Sequence, residues 1–272
     1  MKIHSLSRVL VLPLLAIVGV VYLLATKVDV NYSILIFLPV TLGVVLYIFH
    51  GVIDYWYLNK YPYGLDPHLK KWLKQYFKPY LLMKDIDRQK FDHRLELYLY
   101  GRLFNAVGTE WKEVPEDIKC MIACQGIWMT LGLEDFLIGD VDRIFLYKHN
   151  FPTPENQQLH AVEVNQVDGV IILNSALAAQ ALLEPTMYYN VVIHAYAEAI
   201  MALQLPTPKC EDETKLEMVS GWKKQDILKQ TGLKEIENTL LHVHHFFVFP
   251  ESYRRLYPDY YTVWSEYFRM RE

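Results

Sequence analysis

Cysteine is scarce in this chain. Three thiols in 272 residues, Cys120, Cys124 and Cys210, cannot build a disulfide framework, and the step of four between the first two lacks zinc-ribbon spacing. A basic excess is missing too. The 27 Lys and Arg residues face 31 Asp and Glu, and the formal charge of −4 gives no global positive field for binding nucleic acid. No internal repeat or low-complexity tract is present. With 52% hydrophobic and 14% aromatic residues, the chain has ample apolar surface to offset its conformational entropy, which excludes a disordered or fibrous protein. What it has in excess is hydrophobicity, and the excess sits in the first 53 residues.

Val9 to Ala25 is an uncharged run of 17 residues, extendable through Leu6 and Ser7, and Ile34 to Ile53 is a second run of 20 with Pro39 inside it. A bilayer core of about 30 Å needs about 20 apolar residues in a helix, so both runs read as membrane spans joined by a turn from Thr26 to Ser33. A cleaved signal peptide with Lys2 and Arg8 as its basic region is the alternative for the first run. No clear A-x-A cleavage site follows, and another span begins eight residues later. Lys2 and Arg8 precede the first span, and Lys60, Lys70, Lys71, Lys74 and Lys78 follow the second, whereas the turn holds only Lys27 beside Asp29. The positive-inside rule then predicts an integral membrane protein with both termini and the main domain cytoplasmic.

Residues 1–54 thus read as a transmembrane helical hairpin. Residues 55–84 read as a juxtamembrane basic amphipathic helix, with Leu69, Trp72, Leu73, Tyr76, Phe77 and Tyr80 on one face and lysines on the other. That stripe suits an anionic leaflet, and it suits the first helix of a domain core as well. Residues 85–272 read as one mixed domain. Helices are expected over Asp87–Val107, Pro115–Trp128, Ser175–Leu183, Thr186–Leu203, Glu235–Phe247 and Glu251–Met270. Strands are expected at Arg143–Tyr147 and Val170–Leu173, with Val162 and Val164 in a strand pairing with the latter. Helices outweigh strands, so the fold class is α+β, a mainly helical domain with a small sheet behind two transmembrane helices.

Several stretches, in order over about residues 90 to 270, resemble the Mlc titration factor A family, zinc metallopeptidases of the gluzincin type. Val114 to Gln125 with Leu131-Gly132-Leu133 is similar to that family's N-terminal helix, and Arg143 to Pro152 to its following strand and loop. Tyr189 to His194 is similar to the lead-in to its H-E-x-x-H helix. Phe246-Phe247, Pro250-Glu251 and Arg255 to Pro258 are similar to its C-terminal helix pair. The resemblance implies a zincin-like domain, peptide-bond hydrolysis and a bound zinc ion.

In H-E-x-x-H, residues i and i+4 share a helical face so that two imidazoles grip the metal, and the glutamate takes the proton of the attacking water. Here the five residues are His194-Ala195-Tyr196-Ala197-Glu198. His194 keeps the first ligand position, Ala195 replaces the general base, and Glu198 replaces the second histidine. The resemblance places the third ligand at Glu237. His194, Glu198 and Glu237 could hold zinc or another divalent ion suited to oxygen donors. The other reading is an emptied site in which Glu198 accepts a hydrogen bond from His194, one carboxyl being protonated or turned away. The family's further Asn or Asp residues between this helix and the third ligand are not visible, and Gln230-Thr231-Gly232 stands where its tyrosine-bearing segment is expected. His242, His244 and His245 crowd the next helix. His244, seven residues beyond Glu237, shares its face but lies about 10 Å further along the axis, too far for one ion. These histidines, like Cys120 and Cys124, read as core positions.

Three functions compete. The first, which the losses favour, is a membrane-anchored pseudopeptidase that binds a cytosolic protein or peptide and needs no metal. The second is an active zinc-dependent metallopeptidase with an unconventional ligand set. The third is a membrane-proximal scaffold whose cleft is irrelevant. None involves nucleic acid.

Overall fold

The computed structural model describes residues 5–109, 111–203 and 206–270; Lys2, used above for orientation, lies outside them. The chain divides into two compact units, Met1–Asp66 and Pro67–Glu272.

In the first unit, α1 (Leu6–Lys27) and α2 (Phe37–Lys60) are joined through a 3-10 turn at Val30–Ile36. Asp29 caps that turn by accepting the Asn31 N–H at 2.8 Å. Each helix is long and apolar enough to cross a bilayer. The second begins later than expected. Ile34 to Ile36 belong to the turn, and Pro39 stands in the first helical turn, where its missing N–H costs nothing. Ser5, the N-cap of α1, makes no side-chain cap bond. Instead Asp54 of α2 accepts from both the Ser7 N–H and the Ser7 hydroxyl, each at 2.8 Å. A carboxylate from the partner helix thus satisfies the positive end of α1 and sets the pair antiparallel. Asp54→Ala is expected to weaken the hairpin by about 1–3 kcal/mol, with Ser7→Ala weaker in effect because the backbone bond survives. Denaturant midpoints in micelles check the ranking.

The second unit opens with α3 (Pro67–Tyr76) and α4 (Lys78–Leu82), two short helices where one was expected. Phe77, at φ −114° and ψ 86°, separates them, and Pro79 stands in the first turn of α4. Leu69, Leu73, Phe77 and Tyr80 are all buried, so this apolar stripe packs into protein. Next come α5 (Asp85–Gly101), α6 (Glu116–Met129), α7 (Ser175–Leu183), α8 (Val191–Leu203), α9 (Leu216–Ser220), α10 (Lys224–Thr231), α11 (Asn238–Val248), α12 (Pro250–Leu256) and α13 (Pro258–Tyr267).

The sheet is four-stranded and mixed. Its strands are β1 (Leu103–Ala106), β2 (Arg143–Tyr147), β3 (Val162–Asn165) and β4 (Val170–Asn174), in spatial order β1-β2-β4-β3. The first two and β4 run parallel, and β3 lies antiparallel at the edge with Val162 opposite Leu173. At the tight β3–β4 turn, Gly169 adopts φ +65°, and a Cβ there would strike the Asp140 carbonyl. Ile144, Leu146, Ile171 and Leu173 are buried, and α7 and α8 pack against the sheet.

Four boundaries depart from the sequence expectation. Leu103–Ala106 was expected to continue a helix but pairs with β2 as a strand. Residues 186–190 precede α8 rather than starting it, because Asn190 caps the helix through Val192 and Ile193, both at 3.1 Å. The residues from Glu235 stay outside α11, with Glu237 as its extended N-cap. The last helix splits at Pro258, which pushes Tyr257 to ψ 60°.

Candidate functional site

The short segment Tyr189-Asn190 fixes the start of α8. Besides its caps, Asn190 donates through Nδ2 to Gln125 Oε1 on α6 at 2.7 Å, and its backbone N–H donates to His244 Nε2 on α11 at 3.1 Å. Three helices therefore meet one residue pair before the candidate site. Tyr189 is wedged between two histidines. Its hydroxyl lies 2.9 Å from His194 Nδ1, and its ring stacks on His244 with centroids 4.0 Å apart.

His194 is buried, and desolvation pushes its pKa down to about 4, so the imidazole is neutral. With Nδ1 engaged by Tyr189, its Nε2 faces Glu198 Oε2 at 3.8 Å, one helical turn on. Burial first, then repulsion from Glu163 and Glu237, pushes the Glu198 carboxyl up to about 7. Its side chain keeps 40% exposure, so solvent reaches it. Ala195, at the position the resemblance gives to the general base, is fully buried between His194 and Glu198 in sequence and carries only a methyl group. Tyr196, also buried, hydrogen-bonds Tyr98 hydroxyl to hydroxyl at 3.0 Å. Its ring fits because residue 126 is glycine, where a Cβ would sit 2.7 Å from the Tyr196 ring.

Glu163 is the residue that sequence reading missed. It projects from the edge strand β3, accepts from the Thr153 hydroxyl at 2.7 Å and lies 2.9 Å from His160 Nε2. The alternation Val162-Glu163-Val164 was the available signal, since it puts the carboxylate on the face opposite the valines. Glu237 stands within electrostatic reach of Glu198, but as an exposed N-cap with no side-chain cap bond. It therefore lies outside the helix, and the shared helical face expected for Glu237 and His244 does not exist. His244 is instead a core residue.

The other histidines of α11 are structural as well. The His242 ring lies between the Tyr253 hydroxyl at 2.7 Å and the Asp212 carbonyl at 2.8 Å, so Nε2–H donates to the carbonyl and Nδ1 accepts from the tyrosine. His245 Nδ1 donates to the Leu241 carbonyl at 2.7 Å. The thiols are free and buried, with Cys120 pushed up to about 12 and Cys210 to about 11 mainly by desolvation, so they are poor nucleophiles and ligands.

His194 and Glu198 thus share one side of α8, with Glu163 of the edge strand and Glu237 within electrostatic reach of Glu198. Among the described residues, no group of three His, Cys, Asp or Glu side chains comes close enough to share a metal ion. The site as arranged does not fit zinc, which needs three or four converging donors. What it can do is offer acidic side chains next to an edge strand paired on one side. No family model matches the chain, and no curated protein matches it either.

Proposed function

We propose that this protein is a membrane-anchored, divergent member of the Mlc titration factor A family that has lost peptide hydrolysis and binds a cytosolic protein or peptide in the old substrate cleft. The observation carrying this reading is the sequence of α8 in its place. Ala195 presents a buried methyl beside His194, so the position of the general base holds no proton acceptor. The long apolar helices α1 and α2 support the anchor, and the lysines outside the intervening turn support a cytoplasmic domain. Reporters fused at either end should both read cytoplasmic; an external signal from the C-terminal fusion overturns the orientation.

An extended segment can add to the free edge of β3 by strand pairing. Glu163, Glu198 and Glu237 would then favour a cationic side chain on it. Fluorescent decapeptides with a central Lys or Arg, titrated against the full chain in nanodiscs, test this. They should bind without being cut, more tightly at pH 8 than at pH 6, because Glu198 loses its proton near pH 7. Glu198→Lys should weaken them at least about tenfold, a charge reversal in the cleft. Equal binding of acidic and basic peptides, or none, overturns the reading. Cleavage would favour the alternative, an active metallopeptidase with an unconventional ligand set, for which the facing of His194 and Glu198 on one helical side is the supporting geometry.

A further inference from the structure

A cavity of about 650 Å³ opens in the second unit, and none of His194, Glu198, Glu163 and Glu237 lines it. That volume lies in the range of small-molecule sites. Its walls include Phe77, Trp128, Phe247 and Phe249, with Trp128 edge-on to Phe77 and Phe247. The amides at its base already satisfy one another. Asn190 donates to Gln125, and Gln125 donates to the Met121 carbonyl at 2.9 Å, so the interior asks for an apolar guest.

The rim has a different character. Lys78, Lys84, Lys90 and Arg269 line the cavity against two carboxylates, Asp87 and Glu251. Of these four cations, Lys78 and Lys84 lie nearest the first unit in sequence. Beside them, α4 exposes Leu81 (54%) and Leu82 (75%), the first turn of α5 exposes Ile86 (68%), and Leu82 itself lines the cavity. Large apolar side chains exposed between lysines are what a lipid interface rewards, the former entering the acyl boundary and the latter meeting anionic headgroups. The chain is also short here. Only residues 61–66 separate α2 from α3, a reach of at most about 25 Å when extended.

We infer that this cavity takes the acyl chain of an anionic phospholipid from the bilayer that holds α1 and α2, with Lys78 and Lys84 at its headgroup and Leu81, Leu82 and Ile86 dipping into the interface. The aromatic walls hold the chain, and the cationic rim selects the charge. This site rests on the anchor and not on peptide binding, so it stands or falls separately from the cleft.

The test is photo-crosslinking of the full chain in nanodiscs containing phosphatidylglycerol with a diazirine in its acyl tail, with labelled peptides mapped by mass spectrometry. Labels within α1 and α2 report insertion, so failure of the anchor is distinguishable from failure of the cavity. With the spans labelled, additional labels at Leu82–Met83, Leu182 and Phe249 are expected. Labelling there should fall about fivefold in Lys78→Gln, the effect of one lysine at an anionic surface, and should be lost in Leu182→Trp, which puts a larger side chain into the lining. Circular dichroism of both variants establishes that they are folded. A phosphatidylcholine probe of the same tail should label the spans equally and the cavity several-fold less. Labels confined to the spans, or cavity labelling indifferent to headgroup charge, overturn the inference. So does cavity labelling by a soluble diazirine fatty acid that the bilayer phospholipid fails to match.

Discussion

Taking the full chain in micelles from pH 7 toward pH 4 should cost it most of its stability. His194 and His245 are buried neutral, and desolvation pushes each from an ordinary 6.5 down to about 4; burial lowers His244 well below its ordinary value too. Their folded values lie below the unfolded ones, so the unfolded chain binds more protons in this window. The stability they contribute is present above about pH 6.5 and is lost as the pH falls toward 4. Each of the two with a stated value loses about 3 kcal/mol over that range at about 1.4 kcal/mol per pH unit, together about 6 kcal/mol against a typical total of 5–15. Glu198 acts in the opposite sense. Its folded value near 7 exceeds the ordinary 4.5, so its contribution is present at low pH and is lost as the pH rises through 7. Solvent at its exposed edge makes that term the smaller one. Denaturant unfolding at half-unit pH steps should therefore show stability falling below pH 6.5, and His245→Phe should flatten the slope by about one proton. A curve level from pH 7 to 4.5 would show that these rings are hydrated.

Elements with strong local signals were legible in the sequence. The α6 and α7 boundaries, the strands RIFLY and VIIL, and the pairing of the Val162 segment follow from periodicity, Pro115 and the Asp168-Gly169 turn. So does the facing of His194 and Glu198, which is only the i, i+4 rule. The misreadings share a cause in non-local pairing or in the backbone preference around proline. Leu103 and Phe104 continue an apolar helical rhythm, and only the partner strand Arg143–Tyr147 makes them β1. Glu237 fits a helical pattern with Leu240 and Leu241, but Asn238 is where the helix begins, so the carboxylate caps rather than lines it. Glu163 was invisible as a site residue because it lies 35 positions from Glu198, and only the antiparallel edge brings it near. The trans-cap by Asp54 is of the same kind, since a carboxylate near the end of one apolar run reads as a boundary until the other helix is beside it.

With zinc supplied, the unmodified chain should cut no peptide above background, and restoring the missing groups one at a time should not help. Ala195→Glu returns a base, a group typically worth ~10²–10⁴ in rate. However, it adds a fourth carboxyl group to those of Glu163, Glu198 and Glu237, in a position that is now fully buried. Like charges so placed hold protons, and a protonated glutamate is not a base. Glu198→His alone builds the i, i+4 pair with His194 but leaves the water without an acceptor. Ala195→Glu with Glu198→His removes one carboxylate as it adds another, so the charge of the cluster stays as it is. The imidazole pair then faces Glu237, whose side chain is free of any cap bond and can swing from the α11 N-terminus toward α8. The double variant should bind zinc by calorimetry and show chelator-sensitive hydrolysis at least about 10²-fold above the unmodified chain, and both should vanish on adding Glu237→Ala. Zinc binding without hydrolysis would mean that the ligand geometry survives and the cleft does not. Robust chelator-sensitive hydrolysis by the unmodified protein would sink the pseudopeptidase reading, because it would need a base that the buried Ala195 methyl does not supply.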